Sequence, residues 1–185
     1  MKVIGAFGSG GAVITNDAEL AARVRQLRYH GHDGKGNYLR PGFNCQMHSL
    51  QAALLAVKLG QMQAWQTRRT VIAAIFDEHL RQVPGARRLA TLSGNIHNHH
   101  KYVLWIDRRE ELRTALAGKG IQTKVHYEVP LHRQPLFAAW AASPACPEAE
   151  AAAAHVLSLP MYPELTDDEA RRIALAARTA LETLA

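Results

Sequence analysis

The sequence predicts a mixed α/β (α+β) protein in which a small sheet is covered by helices. Strand-like and helix-like patterns alternate after residue 100, and a long helical pattern of apolar residues runs over residues 49–80. The 185 residues are enough for one domain, or for one small domain with part of another. The length leaves both possibilities open, and the end of the long helical pattern separates residues 1–80 from residues 81–185.

The first region is predicted to begin with a loop and a strand. Residues 11–16 have the β-branched content of a strand, and a helix follows over residues 17–29, capped by Asp17 or the asparagine before it. Gly31 supplies the left-handed residue that ends this helix. A loop then leads to the 49–80 pattern, which is long for one helix, so Gly60 predicts either a kink or two segments.

The second region alternates strands with helices. Its predicted elements are a strand at 102–106, a helix at 109–116, a strand at 121–127, a short helix at 137–141, a helix at 148–155, an extended segment at 156–159 and a final helix to about residue 184. Thr166 and Glu169 have the spacing of a capping box at the start of the final helix. Trp65 is predicted to anchor the core, and the arginines at 68 and 69 to be solvated.

Composition excludes several classes of protein. The formal charge is +6, but the basic residues are spread along the chain without a block of like charges or interleaved aromatics, which disfavours nucleic-acid binding. The same charge suits a phosphorylated or nucleotide-linked substrate. No apolar run reaches membrane-spanning length and no signal peptide is recognisable. Cys45 and Cys146 are far apart, so we expect free thiols and a cytoplasmic protein.

Ten histidines raise the question of a metal site. His97, His99 and His100 form one cluster, and His30 and His32 form another. Neither cluster has the spacing of a known zinc motif, so we expect adventitious metal binding at most and no functional metal site.

The segment that follows Lys2 contains several glycines. A lysine amine can form a Schiff base with an aldehyde cofactor, and glycines allow the backbone to approach such a cofactor closely. Taken alone the pattern is weak, because a solvated lysine followed by a turn has the same appearance.

Five segments, taken in order, resemble the DegT/DnrJ/StrS family of sugar aminotransferases. They are Lys2-Val-Ile-Gly-Ala-Phe-Gly-Ser-Gly-Gly-Ala, Leu27-Arg-Tyr-His-Gly, Gly42-Phe-Asn-Cys-Gln-Met, Val125-His-Tyr-Glu-Val-Pro-Leu-His and Leu157-Ser-Leu-Pro-Met-Tyr-Pro. The resemblance implies that Lys2 is the catalytic lysine that binds pyridoxal 5'-phosphate and moves the proton. It also implies that Asn44 reaches the cofactor phosphate of a neighbouring subunit, and that His126, Tyr127 and His132 lie near the substrate.

The family resemblance also implies a fold and a reaction. Residues 81–185 would be the C-terminal small domain of a fold-type I enzyme, and residues 1–80 a remnant of the large cofactor-binding domain with its linking helix. The family enzyme transfers an amino group from an amino-acid donor, typically glutamate, to a nucleotide-linked keto-sugar. Such products serve lipopolysaccharide, surface-glycan or antibiotic-sugar biosynthesis, and the intact enzyme is a homodimer.

Some features depart from the family pattern. Gln46 replaces the family's arginine, and His48 stands where small or acidic residues are usual. The resemblance begins at Lys2, so we expect the residues that precede this lysine in the family to be absent, including the aspartate that pairs with the cofactor ring nitrogen. We therefore expect impaired activity. The alternative is a non-catalytic fragment or partner subunit that docks onto another polypeptide.

Overall fold

The computed structural model of the protein describes residues 3–140 and 145–184. The fold is mixed α/β, as predicted. Its helices and strands are α1 (Ala18–Leu27), α2 (Ser49–Leu80), β1 (Ala86–Arg88), β2 (Tyr102–Ile106), α3 (Arg109–Gly118), α4 (Pro147–His155), β3 (Val156–Leu159) and α5 (Asp167–Leu184). The chain divides into two compact units, Met1–Met62 and Gln63–Ala185. In the described ranges, no helix is long and apolar enough to cross a membrane.

The boundary between the two units lies inside α2, whereas the sequence places a region boundary at residue 80. The helix is one continuous element of 32 residues that runs through Gly60, so of the two predicted alternatives the division into two segments is excluded. Its second part packs into a core and its first part does not, because every buried residue of α2 lies between Arg69 and Leu80. Burial therefore changes along one helix without a break in its hydrogen bonding.

The first unit is built from α1, the loop that follows it and the start of α2. The Asp17 carboxylate accepts a hydrogen bond from the Leu20 amide at 3.0 Å, which confirms one of the two predicted caps. The helix ends at Leu27, and His30 and Gly31 follow with positive φ angles of 53° and 81°. None of the ten residues of α1 is buried, so this helix has no core of its own to pack against.

Residues 11–16 are not a strand in the structure, which corrects the sequence prediction. The segment has no assigned strand partner in the part of the chain that the structure describes. Val13 and Ile14 remain exposed, Ile14 to 95%. The physical reason is that a strand exists only through the backbone hydrogen bonds of a neighbour, and local propensity cannot provide one.

The second unit contains a three-stranded antiparallel sheet of order β1-β2-β3. Leu104 lies opposite Leu157 in the register, and the burial of β2 alternates along the strand, as expected when its two faces differ. The short strand β1 was not predicted. The predicted strand at 121–127 is wrong, because only Lys124 pairs there, through two backbone hydrogen bonds with Ser158.

Three helices and one face of the sheet enclose the core of the second unit. Phe76 of α2 meets Tyr102 of β2 edge to face, with ring centroids 4.9 Å apart. The largest fully buried side chains come from α2, β2, α3, β3 and the turn before α5: Ile72, Phe76, Leu80, Leu104, Ile106, Leu112, Leu116, Leu157 and Leu165. The side chains of β2 that point the other way include Trp105, which stacks on His155 at the end of α4. Helical elements thus cover both faces of the sheet.

The start of α5 confirms the predicted capping box. The Thr166 hydroxyl accepts a hydrogen bond from the Glu169 amide at 3.2 Å, and the Glu169 carboxylate accepts one from the Thr166 amide at 2.9 Å. The predicted helix at 137–141 is a 3-10 helix over Pro135–Trp140, and residue 141 lies outside the described residues.

Arg69 is buried, which corrects the prediction of a solvated basic pair. Its guanidinium donates hydrogen bonds to the carbonyl oxygens of His99, His100 and Met161 at 3.1, 3.3 and 3.2 Å. Burial lowers the pKa of Arg69, and the nearby Glu164 opposes this shift. The side chain therefore joins α2 to two loops of the second unit.

Candidate functional site

Lys2, the predicted catalytic lysine, lies outside the described residues. The glycine-containing segment that follows it lies against the start of α2. The Phe7 amide donates to the Gln51 side-chain oxygen at 3.0 Å, while the Gln51 amide nitrogen donates to the Phe7 carbonyl. The Lys58 ammonium donates to the Gly5 carbonyl and lies 5.3 Å from the centre of the Phe7 ring. Gln51 and Lys58 lie two turns apart on the same face of α2 and thus hold residues 5–7 against the helix.

Asn44 lies on a loop that close backbone packing holds against the end of α1. The Phe43 amide donates to the Leu27 carbonyl at 2.7 Å, and the Cys45 amide donates to the Arg28 carbonyl at 2.9 Å. Asn44 itself forms a bridge with Tyr29, and its side chain is exposed. The side chain of Asn44 is therefore exposed to solvent, while hydrogen bonds hold the backbone of its loop against the end of α1.

Two glycines make this close approach of the two backbone segments possible. A Cβ atom on Gly31 would lie 1.7 Å from the Arg40 carbonyl oxygen, and one on Gly42 would lie 2.2 Å from the Gly31 nitrogen. Neither position has room for a side chain, so the two backbone segments approach each other only because both residues are glycine. Gln46 and His48, where the family pattern is not followed, are exposed at the end of the same loop.

The first unit also carries most of the excess positive charge. Residues 1–62 contain seven Lys and Arg residues and three Asp and Glu residues, a formal charge of +4 out of +6 for the chain. A phosphate or another anionic group would be attracted to this unit.

His126 lies in the second unit, beside the buried serine of β3. Its Nδ1 atom shares a hydrogen bond of 2.9 Å with the Ser158 hydroxyl. Ser158 is only 5% exposed, and its backbone is paired with Lys124. The Tyr127 ring lies 5.7 Å from that of His126 and is largely exposed. The sheet thus holds the histidine, while the adjacent tyrosine faces solvent.

His132 is held by an acidic residue of α4. Its Nε2 atom lies 2.9 Å from a Glu150 carboxylate oxygen, which also accepts two hydrogen bonds from Arg133. These hydrogen bonds, that from His132 first, lower the pKa of Glu150. His132 is therefore engaged in attaching the loop over residues 130–134 to α4.

In the cluster of His97, His99 and His100, an imidazole accepts a hydrogen bond from the backbone. His97 accepts a hydrogen bond from the His99 amide at 2.8 Å, and His99 is buried. Within the described ranges, no group of three or more His, Cys, Asp or Glu side chains is placed to hold a metal ion.

The structure brings the predicted site residues together only in part. His126, Tyr127 and His132 lie on one stretch of the second unit, and Asn44 belongs to the first unit. Sequence reasoning missed four residues that support them: Gln51, Lys58, Glu150 and Ser158. Of these, Ser158 gave a signal, since it is the one polar residue in the apolar run Val156–Leu159.

Two of the known proteins to which this chain is similar are named as a transaminase and an aminotransferase. The chain is 38% identical over 178 residues to dTDP-3-amino-3,4,6-trideoxy-alpha-D-glucose transaminase from Streptomyces venezuelae. It is also 38% identical over 178 residues to UDP-2-acetamido-2-deoxy-3-oxo-D-glucuronate aminotransferase from Pseudomonas aeruginosa. Each alignment covers 96% of this chain, but 47% and 48% of the relative.

A solved structure matches with a TM-score of 0.92 and 37% identity, namely S. venezuelae DesV in complex with a ketimine intermediate. The match covers 97% of this chain and 49% of DesV, so the chain spans about half the length of the relatives it matches. The profile of one family covers residues 1–178. The chain therefore belongs to the DegT/DnrJ/EryC1/StrS aminotransferase family.

Proposed function

We propose that this chain contributes the lysine-bearing part of an enzyme that transaminates a nucleotide-linked keto-sugar. The observation that carries the proposal is the family match over residues 1–178, which includes the segment beginning at Lys2. The relatives act, by their names, on sugars linked to dTDP or UDP. We propose an amino-acid donor and a homodimeric intact enzyme on the family resemblance alone.

We propose the following assignment to the family fold. Residues 81–185 correspond to the C-terminal small domain, and residues 1–80 to part of the large domain with its linking helix. The compact core of the second unit and the sparse burial of the first support this assignment, since a small domain completes its own core and a remnant does not.

The family depends on pyridoxal phosphate, and the described residues fit that group in part. Gly5 and Gly8 have positive φ angles of 50° and 109°, so the segment after Lys2 follows a path that favours glycine. Asn44 offers an exposed amide donor in a unit of formal charge +4. Lys2 would hold the cofactor through its amine, and Asn44 would reach the phosphate of the cofactor in a neighbouring subunit.

Pyridoxal phosphate, when bound, withdraws electrons from the carbon that carries the amino group. Lys2 would hold the cofactor and would move a proton for this chemistry, which requires its amine to be uncharged. A lysine reaches that state when burial or neighbouring positive charge lowers its pKa. Gln51 and Lys58 would set the path of the segment that carries it.

The residues of the second unit would orient the substrate. His126, held at Nδ1 by Ser158, and the exposed Tyr127 would contact the nucleotide-linked sugar. His132 would not contact the substrate directly, because its Nε2 atom already bonds with Glu150, whose carboxylate also accepts a hydrogen bond from Arg133. Its contribution would be to keep the loop that follows Tyr127 in place.

The test is titration of the purified chain with pyridoxal phosphate, followed by borohydride reduction and peptide mapping. We expect saturable labelling at Lys2, its loss in Lys2→Arg, and no change in the control Lys35→Arg, which alters an exposed loop lysine. Activity with nucleotide-linked keto-sugars is then measured. Labelling scattered over surface lysines, or equal in the two variants, would refute the proposed role of Lys2.

A second candidate function is supported by the exposure of the first unit. Its apolar side chains remain accessible, among them Val13, Ile14, Phe43, Leu50 and Val57. A non-catalytic chain that docks onto another polypeptide would use such a surface.

A further inference from the structure

A basic groove lies between the end of α3 and an exposed side of α5, within the second unit. Its volume is about 530 Å³, in the range of cavities that hold small molecules. Lys119 lies at the end of α3, and the remaining lining residues lie on α5 between Asp168 and Thr179. Lys119, Arg171 and Arg172 are basic, and only Asp168 is acidic. The groove therefore has an excess of positive charge.

Arg172 is held by no hydrogen bond, ion pair or ring contact among the described residues. Every other arginine of the second unit pairs with a carboxylate, donates to a carbonyl oxygen or stacks on a tryptophan. Glu169, one turn before Arg172, is engaged in the capping box of α5. Asp168 pairs with Arg171 at 3.2 Å. The acidic residues nearest in sequence are thus occupied, and Arg172 faces the groove with its charge uncompensated.

Lys119 is the second cation of the groove without an ion pair to a described residue, and it is exposed. Backbone hydrogen bonds fix the turn that carries it. The Gly120 amide donates to the Ala117 carbonyl at 2.9 Å, and the Ile121 amide donates to the Leu116 carbonyl at 2.9 Å. With the positive φ of 72° at Gly120, this is the arrangement of a Schellman motif. Two cations without a counterion therefore line the same cavity from two fixed elements.

The groove also has an apolar part. Leu175 is 48% exposed, and it follows Arg172 by three residues, so both lie on the same side of α5. A ligand that suits both features has an anionic group for the two cations and an apolar group for Leu175. A phosphate monoester carries about two negative charges at pH 7 and several acceptor oxygens, which match the two cations.

We propose that this groove binds a small organic phosphate. The phosphate lies between Lys119 and Arg172, and the apolar part of the molecule lies on Leu175. This site is additional to the proposed transamination and does not rest on it, because none of its lining residues belongs to the predicted cofactor or substrate residues.

The experiment is a titration of the ¹⁵N-labelled 185-residue chain with phenyl phosphate, followed by NMR of the backbone amides. We expect saturable shifts concentrated at residues 119–120 and 172–179, and weaker binding as sodium chloride is raised from about 0.05 M to about 0.3 M. Inorganic phosphate, which lacks the apolar group, should bind at least about threefold more weakly. Phenol, which lacks the anionic group, should cause no saturable shift in the groove.

Matched variants locate the site. Lys119→Gln and Arg172→Gln should each weaken phenyl phosphate binding about three- to fivefold, because each removes one ion pair with the phosphate. Arg178→Gln is the control on the same helix; Arg178 pairs with Glu182 and lines a different cavity, so it should change the dissociation constant less than about 1.5-fold. Leu175→Ala should weaken phenyl phosphate but not inorganic phosphate. Equal midpoints of urea unfolding show that the variants fold.

Three results would overturn the inference. One is the absence of saturable shifts at the groove, and a second is equal weakening by the control and by the two groove variants. The third is binding to phosphatidylcholine vesicles that contain phosphatidic acid without binding to phenyl phosphate, which would assign the groove to a lipid headgroup. Failure of cofactor labelling at Lys2 would leave phenyl phosphate binding unaffected, so the two proposals fail independently.

Discussion

Three polar side chains, Arg69, His99 and Ser158, are buried among the described residues of the second unit. The Arg69 guanidinium donates to carbonyl oxygens and the Ser158 hydroxyl bonds with His126, whereas at His99 the backbone amide donates to the His97 ring. Buried polar groups are tolerated only with such partners, because an unmade hydrogen bond costs about 1–3 kcal/mol. Arg69 and Ser158 thus connect the loops that carry His99 and His126 to the rest of the second unit.

His99 makes stability depend on pH. Burial, followed by the positive charges of His97 and Arg88, lowers the pKa of His99 to about 4. The unfolded chain, with an ordinary histidine, binds a proton that the folded chain excludes between about pH 6.5 and pH 4. The contribution of neutral His99 is therefore present above pH 6.5 and is lost as the pH falls toward 4.

The variant His99→Asn tests this dependence, since asparagine tolerates the positive φ of 45° at this position. We expect the free energy of unfolding of the parent to fall by about 1–2 kcal/mol more than that of the variant between pH 7 and pH 4.5. Urea unfolding at a series of pH values measures it. If the free energy of unfolding of the two proteins changed equally with pH, His99 would not be the source of the pH dependence.

At the scale of single elements, the helix starts are determined by nearby residues. Asp17 caps α1, and Thr166 with Glu169 caps α5, each within one turn of the helix. The strands behave differently: residues 11–16 and 121–127 have strand-like composition, yet neither is assigned as a strand. The short strand β1 exists because Arg87 lies opposite Trp105 of β2, a partner 18 residues away.

Removal of the α5 cap should be measurable. Thr166→Ala should lower the free energy of unfolding by about 1 kcal/mol, because the Glu169 amide loses its acceptor at the positive end of the helix. Thr179→Ala, at an exposed position within the same helix, is the matched control and should be neutral or slightly stabilising. Equal effects of the two substitutions in urea unfolding would show that the cap contributes nothing.

At the scale of the whole molecule, stability is distributed unevenly. The buried cluster extends from Ile72 to Leu181 and lies entirely in the second unit, whereas many apolar side chains of the first unit are exposed. Cooperative unfolding requires a core whose burial offsets chain entropy. The two units should therefore differ in their ability to fold alone.

This difference can be tested with two fragments. Residues 63–185 should retain helical circular dichroism and unfold cooperatively in urea, because they keep the whole core. Residues 1–62, which keep the charge and glycines of the candidate site, should show no cooperative transition. A cooperative transition in the shorter fragment, or its loss in the longer one, would contradict the division of stability.

Sequence alone determined the features that depend on neighbours within a turn or two: the caps of α1 and α5, the long helix and the family motifs around Asn44 and His126. The same motifs name Lys2 and Asn44 as cofactor residues, which stays a prediction. Tertiary structure alone decided that Arg69 is buried, that Ser158 and Glu150 hold His126 and His132, and that residues 11–16 pair with no strand among the described residues. The physical reason is the separation in sequence of the interacting residues. Capping and helical periodicity involve residues close together in the chain, whereas burial and strand pairing depend on groups that are distant in the chain.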